Sequence, residues 1–214
     1  MIVGYGPYLD AIADLTAGQE IISSGMTHEV ERCRQALARA AAGDVVSLIS
    51  SGDPGIYGMA GLAIELAQSE ELRVPIEIIP GVTAASAAAA ALGAPLMLDF
   101  AVVSLSDLLV PWDTIRRRLH AFAEADLVVV LYNPKSKKRV KQIEETAEIF
   151  LASRPGRTPV GIVTSAGQDG QSLTVTDLEH MTEQDITMRS VVIIGNATTR
   201  LVDSWMVTAR GYEL

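Results

Sequence analysis

Short β-branched apolar runs alternate along the chain with longer stretches in which apolar residues return every three or four positions. The runs are VVSLIS at 45–50, IEIIP at 76–80, LVVVLY at 127–132, VGIVTS at 160–165 and VVIIG at 191–195. Each has the length and residue types of a strand, and several are apolar at consecutive positions, as in strands covered by helices on both faces. The intervening patterns predict helices over Thr27 to Ala42, Ile56 to Gln68, Thr83 to Leu92, Thr114 to Ala123 and Lys138 to Ala152. Thr27, ahead of Glu29 and Val30, reads as the cap of the first helix and Gly43 as its stop. Alternation in SLTVTDL at 172–178, just after Gly167 and Gly170, predicts a hairpin partner for the strand at 160–165. The expected fold class is therefore α/β, with a mainly parallel first sheet and a mixed second one.

Charge divides the chain. Residues 1–108 hold 4 basic and 13 acidic side chains, whereas residues 109–214 hold 13 of each. The balance changes at Ser104 to Pro111, SLSDLLVP, which sets the expected boundary between domains 1–108 and 109–214. A net charge of −9 has the wrong sign for a nucleic-acid partner. Cys33 is the sole cysteine, and His28, His120 and His180 lie far apart, so neither a disulfide framework nor a metal-ligand spacing is expected. That usage fits a reducing cytoplasm. No signal peptide is expected at the start, and the most apolar stretch, Val82 to Leu98, is mostly alanine with Gly93 and Pro95 inside it, which argues against a membrane span.

Gly4-Tyr5-Gly6-Pro7 offers a glycine turn, but Leu9 stands where a dinucleotide fingerprint needs its third glycine. The phosphate-loop, serine-elbow and zinc-protease signatures are missing as well. The strongest candidate is SSGDPGIYG at 50–58, where three glycines and a proline follow an expected strand and let backbone approach a ligand. Asp53 within it can accept from ligand hydroxyl or amino groups, the favoured reading; the alternative is that it caps the next helix as a plain turn residue. Next, IIPG at 78–81 leads into an alanine-rich helix whose start, Thr83 and Ala84, can donate to a bound cofactor, while Ala87 to Ala91 read as packing. A third feature is basic: Arg116, Arg117 and Arg118, then Lys135, Lys137, Lys138, Arg139 and Lys141. Such a run is either a solvated face or a collector of ligand carboxylates.

Taken together, SSGDPGIYG, IIPGVTAASAAAAALGAPL, DFAVVSLSDLLVPW, LVVVLYNPKSKKR and VVIIGNATTR resemble the tetrapyrrole methylases of cobalamin synthesis. SLSDLL with Pro111-Trp112, and YNPKS with its basic tail, resemble the C17-methylating branch of that family. The resemblance implies two α/β domains with S-adenosylmethionine folded into a cleft between them, the substrate and SGDP loop on the first side and the adenine on the second. Ser51, Gly52, Asp53 and Ile56 would then contact the methionine and ribose part of the cofactor, with Thr83 and Ala84 at the helix start. Asn133, Ala166, Gly167, Gly195, Asn196 and Ala197 would surround the adenine through backbone groups. The implied reaction moves the sulfonium methyl to C17 of precorrin-3B with contraction of the ring, leaving S-adenosylhomocysteine. Asp99 is the candidate acid or base for contraction, and the resemblance also implies a cytoplasmic homodimer.

Departures from the family pattern leave a second reading open. Leu98 stands where the family has a polar residue, Ala197 replaces a Ser and Ala209 a Pro. Gly4 to Pro7 matches a later family stretch, so the family's first strand, loop and helix are expected to be missing. On that reading the chain is a truncated or degenerate homologue that binds cofactor or tetrapyrrole without turnover, or another tetrapyrrole methylase of the pathway.

Overall fold

The computed structural model describes residues 1–213, and the chain divides into two compact units, the first spanning Met1–Thr83 and the second beginning at Ala84. The division falls earlier than the change in charge at Ser104 to Pro111. The physical reason is pairing: residues 84–108 supply a helix and two strands to the sheets of the second unit.

In the first unit, strands β1 (Ile2–Tyr5), β2 (Ile21–Ser24) and β3 (Ser47–Leu48) form a parallel sheet in the order β2-β1-β3. Helix α1 (Gly6–Asp10) follows β1 directly, with Pro7 in its first turn, where a missing N–H costs nothing. Helix α2 (Glu29–Ala41) ends before Gly43, whose φ of 100° supplies the left-handed stop. Thr27 is not its cap. It takes a φ of 66°, outside the extended geometry a cap needs, and His28 occupies the cap position instead. Helix α3 (Ala60–Ser69) begins later than Ile56 because Tyr57 sits at φ 55° and breaks the helical run. The expected strand at 76–80 does not form. Pro75 and Pro80 remove two N–H donors, and among the described residues the segment has no backbone hydrogen-bonding neighbour. The unit's core is thin: Val3, Leu9, Cys33 and Leu37 among the alanines Ala36, Ala60, Ala63 and Ala67.

The second unit opens with helix α4 (Ala84–Leu92) and the short strand β4 (Gly93–Ala94). Strand β5 (Phe100–Ser104), helix α5 (Trp112–Glu124), strand β6 (Val128–Tyr132), helix α6 (Lys141–Leu151) and strand β7 (Pro159–Thr164) follow. The remaining strands are β8 (Ser172–Asp177), β9 (Ser190–Ile194), β10 (Thr199–Val202) and β11 (Trp205–Thr208). Five of these strands make a mixed sheet, β5-β6-β9-β7-β8, parallel only between β5 and β6, and β7 and β8 pair as the expected hairpin. A smaller sheet runs β10-β11-β4.

Consecutive apolar residues in β6 and β9 serve two cores. Val129, Leu131, Val192 and Ile194 face Ile115, Leu119, Ile143 and Phe150 of α5 and α6. Val128, Val130, Val191 and Ile193 face Ala85, Ala88 and Leu92 of α4, together with Met206. Side chains alternate across a strand, so only a run apolar at every position can fill both layers. Each fully buried Val, Leu or Ile contributes about 1.5–3 kcal/mol.

Candidate functional site

The loop SSGDPGIYG connects β3 to α3, and its backbone is set by close approach. Gly52 holds a φ of 68°. A Cβ on Gly81 would lie 2.1 Å from the Gly52 carbonyl oxygen, and one on Gly58 would lie 2.5 Å from that of Pro54. Only glycine allows the 50–58 loop and the IIPG loop to interlock in this way. Asp53 fastens them: one carboxylate oxygen accepts the Gly55 N–H at 2.8 Å, the other the Gly81 N–H at 3.0 Å. The Gly81 and Gly55 amides together hold the Asp53 carboxyl below its ordinary range. Asp53 thus closes its own turn at Gly55, as its turn-residue reading expects, and also clasps a second loop distant in sequence, which neither reading anticipated. Ser51, Gly52 and Ile56 are exposed on the same loop.

Thr83 and Ala84 are half-buried at the start of α4, and the Ala85 N–H donates to the Tyr132 hydroxyl at 2.7 Å. One of the free donors at this helix start therefore belongs to a tyrosine side chain inside the second unit. Tyr132 ends β6, and Asn133 beyond it takes a φ of 49°. The Asn133 amide donates to Ser104 Oγ at 3.0 Å, the Leu105 N–H donates to the Tyr132 carbonyl at 2.9 Å, and Ser104 Oγ also receives the Ser106 N–H. The SLSDLL and YNPKS stretches are thus stitched to each other at the ends of paired strands.

Ala166 and Gly167 form the turn after β7, closed by the Gln171 side chain, which accepts the Gly167 N–H at 2.7 Å. At Gly195, Asn196 and Ala197 the N–H groups are spent within the unit. They donate to the Pro159 carbonyl, Thr199 Oγ1 and the Asp126 carboxylate respectively. The Gly195 carbonyl accepts from Arg154, a guanidinium 6% exposed that also donates to the carbonyls of Phe122 and Leu127. Burial pushes the Arg154 pKa down, offset by Asp126 3.5 Å away. Arg154, Asp126 and Thr199 were not singled out in the sequence, and only the structure shows Asp126 at φ 51° just past the end of α5. In the first unit Arg32 is 3% exposed and donates to Ser24 Oγ and the Gly25 carbonyl, again without a sequence signal.

The basic run is dispersed in role. Arg116 pairs with Asp113 and Glu145, and Arg139 donates to the Asn133 carbonyl. Arg117, Arg118, Lys137, Lys138 and Lys141 are exposed, Lys135 is half-buried, and Asp99 is exposed just before β5. Among the described residues no three His, Cys, Asp or Glu side chains gather to hold a metal, and no helix is long and apolar enough to cross a membrane.

Two α/β units with a glycine-rich loop clasped after a parallel strand match a known class. Residues 1–182 match the family described as Tetrapyrrole (Corrin/Porphyrin) Methylases, and the chain belongs to that family. Among its relatives, the probable cobalt-factor III C(17)-methyltransferase of Salmonella typhimurium is 46% identical over 214 residues, covering all of this chain and 89% of the relative. The cobalt-factor III methyltransferase of Priestia megaterium is 46% identical over 217 residues, but this chain spans only 40% of its length. Among solved structures, the methyltransferase CobJ superposes with a TM-score of 0.90 at 37% identity, covering 97% of this chain and 87% of that one.

Proposed function

We propose that this chain is an S-adenosylmethionine-dependent methyltransferase of cobalamin biosynthesis, methylating C17 of a tetrapyrrole at the precorrin-3B stage, with contraction of the ring. The observation that carries the reading is 46% identity across the whole chain to a relative named for C17 methylation. The cobalt-factor III in that relative's name makes the cobalt-containing form of the substrate the first to try.

The cofactor would supply an electrophilic methyl group on a sulfonium. Its fit is supported by the donor set of the SGDP loop. A carboxylate offers about four lone-pair positions. Asp53 uses two on Gly55 and Gly81, leaving others for the ammonium or ribose hydroxyls of the cofactor. Ser51, Gly52 and Ile56 would line the same part, and Thr83 and Ala84 the helix start. Asn133, Ala166 and Gly167 would lie along the adenine. Gly195, Asn196 and Ala197 enter the proposal as a wall for the adenine rather than as donors, their N–H groups being already engaged. Methyl transfer is an in-line displacement that depends on positioning, so the protein's task is to hold two reactants in line. Asp99 is proposed for proton movement in ring contraction.

The substrate carries peripheral carboxylates, which the half-buried Lys135 and the exposed Arg117, Arg118, Lys137, Lys138 and Lys141 would attract. S-adenosylhomocysteine titrated by calorimetry tests the cofactor. Incubation with S-adenosylmethionine and either cobalt-factor III or precorrin-3B, read by mass, tests the reaction by one added methyl. Binding without turnover would favour the degenerate-homologue reading. Replacing Lys135 and Lys137 with Gln is expected to weaken tetrapyrrole binding at low salt while leaving that of the zwitterionic cofactor unchanged. A homodimer in the cytoplasm completes the proposal, with sedimentation velocity as its check.

A further inference from the structure

Two arginines are buried among the described residues, and their charges are met differently. Arg154 has the Asp126 carboxylate 3.5 Å away. Arg32, 3% exposed on α2, has only neutral partners: its Nε donates to Ser24 Oγ at 2.7 Å, its Nη2 to the Gly25 carbonyl at 2.8 Å and its Nη1 to the Met59 thioether at 3.8 Å. Each terminal nitrogen carries a second hydrogen that meets no acceptor among the described residues, and a thioether is itself a weak one. The Tyr5 ring, its centroid 5.8 Å from the guanidinium carbon, lends attraction but no counter-charge.

Carboxylates are not scarce in this unit. Residues 1–83 hold 11 acidic against 4 basic side chains. Arg34 and Arg39, on the same helix, each pair with two of the acids, Glu31 and Glu70 for one, Glu20 and Asp44 for the other. Glu29 stands three positions before Arg32, at a spacing that permits an ion pair, yet its carboxylate accepts the Thr27 N–H instead. A buried cation without a counter-ion is costly, and an arginine kept only for packing would be relieved by the nearest acid. Its place in the fold says what the charge is for. Tyr5 and Ser24 lie opposite each other at the ends of the parallel strands β1 and β2, and the SSGDPGIYG loop leaves β3, parallel to β1, at the same edge. Met59 directly follows that loop. The carboxyl edge of a parallel sheet is where α/β folds hold their ligands.

We propose that Arg32 receives one peripheral carboxylate of the tetrapyrrole, with the Met59 thioether holding the carboxylate's place until the ligand arrives. The site is carried by the geometry of Arg32, while the identity of its ligand rests on the proposed methylase function. Met59 is half-buried and unbranched, so its side chain can swing off Nη1, and Gly25 on the other side of the guanidinium is exposed. The spare hydrogens of Nη1 and Nη2 then form a fork on the carboxylate, which supplies the missing charge. A guanidinium held in this way differs in role from the exposed lysines. Those attract carboxylates from many directions, whereas this one fixes a single carboxylate and with it the orientation of the ring. The cofactor also carries a carboxylate, and experiment separates the two sources.

The probe is uroporphyrin III, a stable tetrapyrrole polycarboxylate, titrated into the intact chain and followed by its absorption, with S-adenosylhomocysteine titrated separately by calorimetry. Arg32→Gln is expected to bind uroporphyrin at least about tenfold more weakly and S-adenosylhomocysteine as the wild type does. Arg32→Lys is expected to fall in between, since it keeps the charge but not the fork. A second pair of variants leaves Arg32 in place. Met59→Glu puts an internal carboxylate where the thioether stands and is expected to weaken uroporphyrin binding to the same degree, whereas the uncharged Met59→Gln is expected to stay close to the wild type. A merely structural Arg32 would not make tetrapyrrole binding depend on the charge at position 59. Cys33, fully buried on the same helix, stays unlabelled wherever the first unit is folded, and if Arg32→Gln exposes it the Met59 pair carries the test. Wild-type affinity for uroporphyrin in both Arg32→Gln and Met59→Glu, or no saturable binding to the wild type, would overturn the assignment. So would a loss confined to S-adenosylhomocysteine, because the carboxylate would then be the cofactor's. If uroporphyrin binding depends on Arg32 but the mass assay shows no added methyl, the site stands and the reading of turnover falls. If methyl is added and uroporphyrin binding ignores Arg32, the reverse holds.

Discussion

Gly81 illustrates how far single positions decide this molecule. A methyl group there would meet the Gly52 carbonyl at 2.1 Å, a backbone atom that cannot swing aside, so Gly81→Ala must part the two loops and break the Asp53 clasp. The expected cost is about 1–3 kcal/mol of stability, together with loss of S-adenosylhomocysteine binding, read by thermal melting and calorimetry. Gly58→Ala, which meets the Pro54 carbonyl at 2.5 Å, is expected to behave alike. The glycines announced this loop in the sequence, but the Asp53 to Gly81 bond spans 28 residues and no local pattern encodes it. Buried Arg32 and Arg154 were equally illegible, since nothing in sequence separates them from the other cations. A second residue prediction concerns pH. The hydrogen bond and charge of Asp177, 2.7 Å away, raise the His180 pKa and lower that of Asp177. A raised histidine pKa means its contribution is full below the ordinary value and fades as pH rises through the folded one, while the lowered Asp177 pKa means the pair is lost again as pH falls through the folded carboxylate value. His180 is exposed and Asp177 half-buried, so solvent screens the pair and the effect on stability is small, but the ring resonances of His180 are expected to titrate above the ordinary histidine range. Asp177→Asn is expected to lower that midpoint, with the charges of Glu183 and Glu179 still raising it, and an unchanged midpoint in that variant would refute the pairing.

At the scale of elements, strands buried on both faces were the most legible part of the chain. β6, β7 and β9 lie where their apolar runs stand, because two packed layers impose apolarity at every position. β1, β2, β4, β10 and β11, of two to four residues each, were missed, since a strand that short carries too few residues to display a period, and so was β5, only one of whose five residues is fully buried. The strand expected at 76–80 has the opposite history: its residues suit a strand, but pairing requires a neighbour. Helix ends shifted wherever a left-handed residue intervened, as Tyr57 does before α3. The seat of α4 shows what the sequence could not say. Gly161 lies mid-strand in β7, and a Cβ there would come within 2.4 Å of a Leu92 methyl. The missing side chain is the space into which α4 settles. Gly161→Ala is expected to destabilise by about 1–3 kcal/mol through overpacking, and Leu92→Ala by about 2–5 through a cavity. The double variant is expected to cost less than the sum, because each change relieves the other. Strict additivity in urea denaturation would show that Gly161 is not what seats the helix.

For the whole molecule, the contrast between the two units has a measurable consequence. Both large apolar clusters belong to the second unit, where residues such as Phe150, Leu119 and Ile193 are fully buried. The first unit relies on an alanine-lined core, a three-stranded sheet and a strand-like segment at 76–80 that has no backbone partner among the described residues. Its fewer large buried side chains give it less to lose on opening, and the excess of 11 acidic over 4 basic residues adds self-repulsion. The chain happens to carry a separate reporter for each unit. Cys33, the sole cysteine, is fully buried on α2 in the first unit, and burial holds its thiol above the ordinary pKa, so it is unreactive until the unit opens. The two tryptophans, Trp112 and Trp205, both lie in the second unit, Trp112 donating to Glu145 at 2.7 Å. In a urea titration, Cys33 labelling is expected to reach its midpoint roughly 1 M before the change in tryptophan fluorescence, since stability falls linearly with denaturant and the first unit starts from less. Coincident midpoints would show one cooperative transition and remove the basis for ranking the units.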